Sequence, residues 1–288
     1  STPKPSSAAS DVYKRQHCVA ASSSGIAPGL LAAVSEAIGD STIPMRCLTG
    51  LGDVDSAAPS YFLWDLSRRV KGSEELTAAF DEGVDGLLER LSSSETEEAE
   101  EFLSSWDDFL FEFGCRGPNE YEIFSDTWET RPAIALALLD RIRLQSDDED
   151  PAGRHKVIAE SRISTINEVR EKLAALGNEE LTGTFEASLN AGNIMVFQER
   201  TKTNYIRVVN EIRVVFEELG KRAVLEGSLG DHKHIYMLND DELETFVADR
   251  GAMQSTLETR YADYLELQEL EPPFFIKDGV VPLSLIHI

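Results

Sequence analysis

The chain has 288 residues, and its 27 lysines and arginines against 52 aspartates and glutamates give a formal net charge of −25. This acidic balance disfavours binding to nucleic acid or to an anionic membrane surface, since both attract basic faces. Hydrophobic residues make up 42% of the chain, which excludes wholesale disorder. No window approaches the ~18 apolar residues of a membrane span. The three cysteines are scattered and odd in number, which favours a reducing, cytoplasmic location.

Both ends of the chain carry a peptide that we interpret as non-native. Residues 11–16 and 283–288 can be encoded by one DNA segment and its reverse complement, and this inverted repeat resembles a transposon end used to prepare sequencing libraries. We therefore assign residues 1–16 to a leader scar and 283–288 to a trailing scar, and we leave both out of the fold prediction. The chain is then expected to be a piece of a longer protein that lacks both natural termini.

Amphipathic helices dominate the chain from residue 61 onward. Apolar residues recur there every three or four positions, which is helical spacing. The first helix is expected to end near Gly72, and Ser73 is the expected N-cap of the second. The second apolar stripe continues from Leu76 to Leu91.

Two further helices are predicted before residue 145. Ser94–Glu97 has the pattern of a capping box and begins the first of them. Gly114 lies where helices commonly end on a left-handed glycine. Pro132 then precedes a helix over residues 133–144.

The second half of the chain contains the longest helical patterns. A helix is predicted from Asp150 to Leu176, because an aspartate followed by a proline is a strong helix start. The longest apolar pattern predicts a helix from about Ile194 to Glu226. His234–Leu238 is the best short strand, and Asn239–Glu242 is a second pattern typical of a capping box.

These elements predict an all-α, mainly helical fold with one or two short strands. We assign residues 17–270 to one helical domain. Residues 271–282 contain two consecutive prolines and are predicted to be an extended linker to a following domain.

The first candidate binding segment is Phe113–Glu122, where polar residues crowd between two glycines and a proline just past a helix end. Arg116 can present its planar guanidinium to a phosphate or a carboxylate. Glu120 and Glu122 can accept hydrogen bonds from hydroxyl groups or hold the arginine in place. The alternative is an ordinary helix end with Arg116 in a structural ion pair.

The second candidate segment is Gln198–Lys202, near the head of the long predicted helix. Gln198 and Lys202 are four residues apart and share a helix face, and Tyr205 falls near the same side. The alternative is that this face is solvated, as most polar helix faces are. A second polar stripe follows on the same helix: Arg200, Asn204, Arg207 and Glu211.

The sequence predicts neither a nucleotide-binding loop nor a metal site. Residues 48–53 contain two glycines but no following lysine, which favours a turn. His232 and His234 are two residues apart, but no carboxylate or cysteine is placed to complete a metal site with them.

At the two candidate segments the chain resembles the phosphoenolpyruvate-utilising, dikinase-like enzymes, among them the rifampicin phosphotransferases. Residues 114–120, Gly-Cys-Arg-Gly-Pro-Asn-Glu, are similar to the family signature Gly-His-Arg-Gly-Pro-x-Glu. Thr127–Pro132 is similar to the Trp-x-x-x-Pro continuation, and Gln198–Lys202 to an Arg-Glu-x-x-Lys motif on a long helix. The resemblance covers most of residues 45–282 and is specific to the superfamily, not to one substrate.

The resemblance implies a multidomain enzyme. An ATP-grasp domain would transfer phosphate from ATP to a histidine on a swivelling domain, which passes it to the hydroxyl group of a small molecule on a helical central domain. This chain would be that central, substrate-binding domain. ATP and Mg²⁺ would bind to the missing domains, the fragment itself would carry no cofactor, and it would not be active alone.

The resemblance also implies roles for individual residues. Lys202 would neutralise the phosphoryl group in transit, and Glu199 would orient it or help to take the hydroxyl proton. These two residues are the catalytic candidates. The substrate-binding candidates are Arg116, Asn119, Glu120, Gln198 and Tyr205.

Two departures from the family pattern bear on activity. Cys115 stands where the family has a histidine, and Gln198 stands where it has an arginine. The cysteine in place of histidine removes an acid or base that works at neutral pH. The glutamine in place of arginine removes a positive charge from the phosphate path. A different acceptor or a binding-only homologue is therefore an alternative. A second alternative is an all-α interaction scaffold, and a third attributes the acidity to adaptation to salt.

Overall fold

The structure is a computed structural model that describes residues 5–52, 55 and 57–270. Over these residues the fold is helical and contains no strand, so the predicted all-α class is confirmed. Four short 3₁₀ helices accompany the α-helices in the described ranges. The α-helices are α1 (Pro5–Ser23), α2 (Ile26–Ile38), α3 (Ile43–Leu48), α4 (Ala58–Gly72), α5 (Glu74–Asp81), α6 (Leu87–Ser92), α7 (Glu97–Phe113), α8 (Ala133–Arg143), α9 (Pro151–Leu176), α10 (Glu179–Leu225), α11 (Leu243–Ala248) and α12 (Gln254–Gln268).

The chain divides into two compact units, the first ending at Glu211 and the second beginning at Ile212. The predicted domain of residues 17–270 includes parts of both units, and its boundaries stay a prediction. The predicted linker and trailing scar lie outside the described residues. Residues 5–16 of the predicted leader lie in α1, and their assignment as non-native also stays a prediction.

An aromatic core in the first unit fixes the end of α7. Trp106 and Phe109 stack with ring centres 5.2 Å apart, and Phe109 also stacks on Trp128 at 5.4 Å. Both α7 rings are almost completely buried, and large aromatic rings contribute strongly to a core because each removes a large apolar area from water. Helices α4 to α8 all contribute to this cluster, so the loop that follows α7 starts from a rigid base.

A second core in the first unit joins α2, α3 and α9 to the beginning of α10. Leu31 and Val34 of α2 are completely buried beside Val169 and Leu173 of α9. Phe185 contributes a buried ring from the first turns of α10. This packing holds the N-terminal part of the long helix, which carries the second candidate segment further along.

The second unit has its own small core, formed by residues such as Ile235, Phe246 and Leu257. The guanidinium of Arg260 donates to both carboxylate oxygens of Glu242 at 2.6 and 2.8 Å. The hydrogen bonds from Arg260 lower the pKa of Glu242 to about 2, and the backbone N–H of Asn239 adds to this effect.

Most predicted helix starts are confirmed because they depend on neighbouring residues alone. The Ser73 hydroxyl accepts from the backbone N–H of Leu76, as an N-cap does. Asp150 accepts from two backbone N–H groups of the first turn of α9. The capping box at Asn239–Glu242 is present as well, where it begins a 3₁₀ helix that leads into α11.

Two predictions in the first unit are wrong. The stripe from Leu76 to Leu91 is divided into α5 and α6, because Gly83 and Gly86 adopt positive φ angles of 102° and 67° that no α-helix contains. Helix α7 is capped by Thr96, not by Ser94. The hydroxyls of Ser94 and Thr96 both donate to the side chain of Glu75, but only that of Thr96 accepts from the first turn of α7, from the N–H of Ala99.

Two predictions in the second half of the chain are also wrong. Helix α10 begins at Glu179, well before Ile194, because its earlier turns bury Phe185 in the second core. In place of the predicted strand at His234–Leu238, a 3₁₀ helix covers His232–Met237, and Leu238 is its extended C-cap. A lone strand has no backbone partners, whereas here the Asp231 side chain accepts from the N–H of Lys233 at 2.7 Å and starts a local turn.

One segment, Lys14–Ile38, is long and apolar enough to cross a membrane, contrary to the prediction that no such window exists. The structure divides this segment between α1 and α2, with a turn at Ser24 and Gly25. Leu31 and Val34 from its second half lie in a core of the first unit. Length and composition alone therefore describe this segment incompletely.

The aromatic core yields a prediction with a control on the same helix. Phe109→Ala should lower the free energy of unfolding of the first unit by about 3–5 kcal/mol, because a fully buried ring leaves a cavity. Phe111 is 91% exposed, and Phe111→Ala should change it by less than about 0.5 kcal/mol. Denaturant unfolding followed by circular dichroism measures both values. Equal effects of the two variants would contradict the assigned core.

Candidate functional site

The loop after α7 is built around two glycines that allow close backbone packing. The N–H of Trp128 donates to the carbonyl of Arg116 at 2.8 Å, and the N–H of Glu129 donates to that of Gly114 at 2.9 Å. A Cβ on Gly117 would lie 2.6 Å from the carbonyl oxygen of Asp126. The two stretches of the loop therefore run side by side only because one of them lacks side chains at these positions.

Gly114 does not end α7 in the left-handed conformation that the sequence predicted. Its φ of −56° is that of a right-handed helix. A Cβ there would collide with the carbonyl oxygen of Leu110 and lie 3.0 Å from the Cβ of Glu129. A glycine is needed here because the Leu110 carbonyl and Glu129 lie so close, and not because the backbone adopts a positive φ angle.

Arg116 is buried, with 5% of its surface exposed, and its guanidinium is satisfied by three different segments. It donates to a carboxylate oxygen of Glu120 at 3.2 Å, to the Thr203 hydroxyl at 3.0 Å and to the backbone carbonyl of Asp55 at 3.3 Å. A buried charge is stable only with such partners. These contacts fix the guanidinium against one side of α10.

Glu120 joins the two segments that the sequence selected. Its Oε1 accepts from Arg116, and its Oε2 lies 3.2 Å from the Nζ of Lys202. The side chains of Glu120 and Lys202 keep 15% and 28% of their surface exposed, so this end of the site is reachable from solvent. Arg116 of the loop and Lys202 of the helix thus contact different oxygens of the Glu120 carboxylate.

An aromatic group lies beside this carboxylate. The Nζ of Lys202 is 5.8 Å from the centre of the Tyr121 ring, and Tyr121 is 5.8 Å from Tyr205. His17 stacks on Tyr205 and lies 3.3 Å from the hydroxyl of Tyr121. Loss of hydration and then the negative charge of Glu120 raise the pKa of the Tyr121 hydroxyl, so it is protonated at neutral pH.

The remaining predicted residues are placed less centrally. The negative charge of Glu199 also raises the pKa of Tyr121, after the larger effects of lost hydration and Glu120. Gln198 is half-buried, and its backbone carbonyl accepts from the hydroxyl of Thr201 at 2.9 Å. Asn119 is exposed, and its backbone carbonyl accepts from the N–H of Glu122 at 3.1 Å. The roles of all these side chains stay predictions.

Arg116 also lines a cleft of about 350 Å³. Arg200, Asn204 and Arg207 line it from α10, on the second polar stripe predicted from the sequence. Arg200 lies 3.4 Å from a carboxylate oxygen of Asp55, and Arg207 donates to the carboxylate of Glu112 at 2.6 Å. This cleft will be called the arginine cleft. Its lining residues are Asp55, Ala58, Glu112, Phe113, Arg116, Arg200, Thr203, Asn204 and Arg207.

The model of the rifampicin phosphotransferase fourth domain matches residues 17–192. The chain belongs to this family. The matched stretch includes the loop of Arg116 and ends before Gln198–Lys202. The uncharacterized phosphotransferase YvkC of Bacillus subtilis (strain 168) is 24% identical over 218 residues, which cover 74% of this chain and 25% of that protein. The chain therefore spans about a quarter of the length of this curated relative.

Cys115, one of the two expected departures from the family pattern, lies buried in this loop. The residue is 7% exposed, and burial raises the pKa of its thiol, although the nearby charges of Arg116 and Arg207 oppose that effect. A buried, protonated thiol is a poor nucleophile and a poor base. Cys115 borders a smaller cleft of about 230 Å³ that shares Glu112 and Arg207 with the arginine cleft.

Within residues 5–52, 55 and 57–270, no group of three or more His, Cys, Asp or Glu side chains is arranged to hold a metal ion.

Sequence reasoning missed Tyr121 and His17, which complete the aromatic group. Tyr121 directly follows Glu120, so its proximity to that residue was a usable signal. His17 lies 104 positions before Tyr121 on α1, and no local pattern indicates that contact. Asp55 and Glu112 were missed for the same reason, since each contacts an arginine far away in the sequence.

The close approach at Gly117 gives a prediction with an opposite control. Gly117→Ala should destabilise the first unit by about 1–3 kcal/mol, because the added methyl group meets the backbone of Asp126. Gly183 is exposed within α10 and has open space around it, so Gly183→Ala should stabilise the protein by up to about 1 kcal/mol. Denaturant unfolding measures both. Stabilisation by Gly117→Ala would contradict the close packing of the loop.

Proposed function

We propose that this chain is the substrate-binding helical part of a multidomain phosphotransferase. That enzyme transfers phosphate from ATP, through a phosphohistidine, to the hydroxyl group of a small molecule. Membership of the rifampicin phosphotransferase family and the similarity to a Bacillus subtilis phosphotransferase support the reaction class. In this proposal an ATP-grasp domain and a phosphohistidine domain elsewhere in the protein supply the phosphoryl group, and the helical part is not active alone.

The contact that carries the proposal is Glu120 between Arg116 and Lys202. A carboxylate that is held between two cations marks a place where negative charge is stabilised. A phosphoryl group has the same sign of charge and also accepts charge-assisted hydrogen bonds. Because Lys202 is partly exposed, its ammonium can turn toward a phosphoryl group that arrives from solvent and can neutralise the charge that develops during transfer.

Two neighbours of Lys202 are suited to handle the proton of the acceptor hydroxyl. Glu199 is a carboxylate near Tyr121 and can accept a proton as a general base. The hydroxyl of Tyr121 keeps its own proton at neutral pH and can donate a hydrogen bond. We therefore assign proton acceptance to Glu199 and orientation to Tyr121 and Tyr205.

A binding-only homologue is the second candidate function, and Cys115 is the observation that favours it. The thiol at the family's histidine position is buried and protonated, so any acid–base step of that histidine is lost. Gln198 in place of the family's arginine removes a further charge. An interaction scaffold is less favoured, because Glu120 links Arg116 to Lys202 in one place and a scaffold does not require that link.

The proposed location is the cytoplasm, where ATP is available. The three cysteines, Cys18, Cys47 and Cys115, are free thiols, which is typical of a reducing compartment.

The role of Lys202 predicts a large loss of turnover in the complete enzyme. Lys202→Ala should lower kcat for ATP-dependent phosphorylation of a hydroxylated acceptor by about 100-fold or more, because one stabilising group for the developing charge is removed. Lys202→Arg should retain part of the kcat that Lys202→Ala loses. Lys172→Ala removes a lysine that is also paired with a glutamate, on α9, and should leave kcat unchanged.

The measurement is transfer of labelled phosphate from ATP across a panel of small hydroxylated molecules. Unchanged turnover of Lys202→Ala would remove the assigned role. A complete enzyme that phosphorylates its own histidine but no acceptor would favour the binding-only alternative.

A further inference from the structure

We propose that the arginine cleft binds a small molecule through an oxyanion group, either a phosphate or a carboxylate. The inference rests on the proposed function only in taking this molecule to be the acceptor. It then specifies the chemical class of the acceptor: a small anionic compound that also carries a hydroxyl group.

The residues that line the cleft carry a small excess of positive charge, unlike the chain as a whole, and Glu120, which pairs with Arg116, is not among them. The whole protein carries a net charge of −25, yet three arginines and only two carboxylates line this cavity. An anion is therefore repelled by most of the surface and attracted here, since a cleft concentrates the potential of the charges that line it.

The arrangement of the donors suits one ligand. Arg200, Asn204 and Arg207 are spaced by three and four residues and lie on one face of α10. Arg116 lies on the opposing loop, where its buried contacts hold it in place before any ligand arrives. Binding groups that are fixed in advance lose little conformational entropy when a ligand binds.

The arginines of the helix keep donors for a ligand. The contact of Arg200 with Asp55 uses Nη2 at 3.4 Å, and 67% of the arginine side chain is exposed. Arg207 uses Nη2 for both the carboxylate and the backbone carbonyl of Glu112, also hydrogen-bonds the side chain of Cys115, and is 44% exposed. A guanidinium presents N–H groups on two edges, and exposed ion pairs of this kind contribute little stability, so an incoming oxyanion can share or replace them.

The position of the cleft links it to the proposed chemistry. Arg116 lines the cleft and also contacts Glu120, whose second oxygen contacts Lys202. Arg116 and Glu120 thus connect the cleft to the residue assigned to phosphoryl transfer. The cavity of about 350 Å³ is at the small end of the usual range for ligand sites, which fits a metabolite-sized compound.

The test is isothermal titration calorimetry on the chain with two probes, inorganic pyrophosphate and the tricarboxylate tricarballylate, at low salt. At least one should bind saturably with a Kd of about 1 mM or tighter. The double variant Arg200→Gln with Arg207→Gln should weaken that binding by about tenfold or more, because charge-assisted hydrogen bonds are lost. Tighter binding of pyrophosphate assigns a phosphate group, and tighter binding of tricarballylate assigns a carboxylate.

A matched control separates the cleft from the net charge. Arg154→Gln with Arg170→Gln also removes two exposed, paired arginines, but both lie on α9 and neither lines the cleft. This control should bind the probe as the unchanged chain does. Glu112→Gln should tighten binding, because it removes the carboxylate that competes for Arg207. Thermal unfolding verifies that every variant is folded.

The inference is overturned if neither probe binds saturably, or if both double variants weaken binding equally. Its failure is distinct from failure of the proposed function. If turnover does not need Lys202, saturable binding at the cleft would still support this inference. Conversely, turnover that needs Lys202 without any binding at the cleft would overturn this inference alone.

Discussion

The need to satisfy one buried guanidinium organises the site. Moving a charged group out of water costs several kcal/mol unless hydrogen bonds and an opposite charge replace the water. Arg116 meets this requirement through Glu120, Thr203 and the backbone of Asp55. Because those partners come from three separate segments, the loop after α7 and the middle of α10 are held together at this point.

Packing and charge act together around Arg116. The stacked rings of Trp106, Phe109 and Trp128 hold both ends of the loop, so the glycine-rich stretch between them keeps its conformation. The surface of the protein is strongly acidic, whereas cations gather on the two sides of the loop. This contrast is the physical basis for expecting an anionic ligand here, and it is independent of the family to which the chain belongs.

The sequence predicted the features that depend on neighbouring residues. The N-caps at Ser73 and Asp150 were predictable because a capping residue acts within its own first turn. The division between α5 and α6 was not, since a glycine tolerates helical and left-handed φ alike and only the fold selects one. The early start of α10 depends on Phe185 meeting a core formed by distant helices.

Prediction of the candidate site from the sequence has the same limit. The spacing of Arg200, Asn204 and Arg207 indicated a shared helix face, but nothing local indicated whether that face meets solvent or a cleft. The contact of Arg116 with Thr203 joins residues 87 positions apart, and the contact with Asp55 joins residues 61 positions apart. The resemblance in motifs identified both segments. The contact through which they meet, at Glu120, is known only from the structure.

The most direct test of that meeting point is a double-mutant cycle on the free energy of unfolding. The cycle combines Glu120→Gln with Lys202→Met. If the carboxylate joins the loop to the helix, the two changes should couple by about 1 kcal/mol. Additive effects, within about 0.3 kcal/mol, would show that the two side chains do not interact in solution and would contradict the shared site.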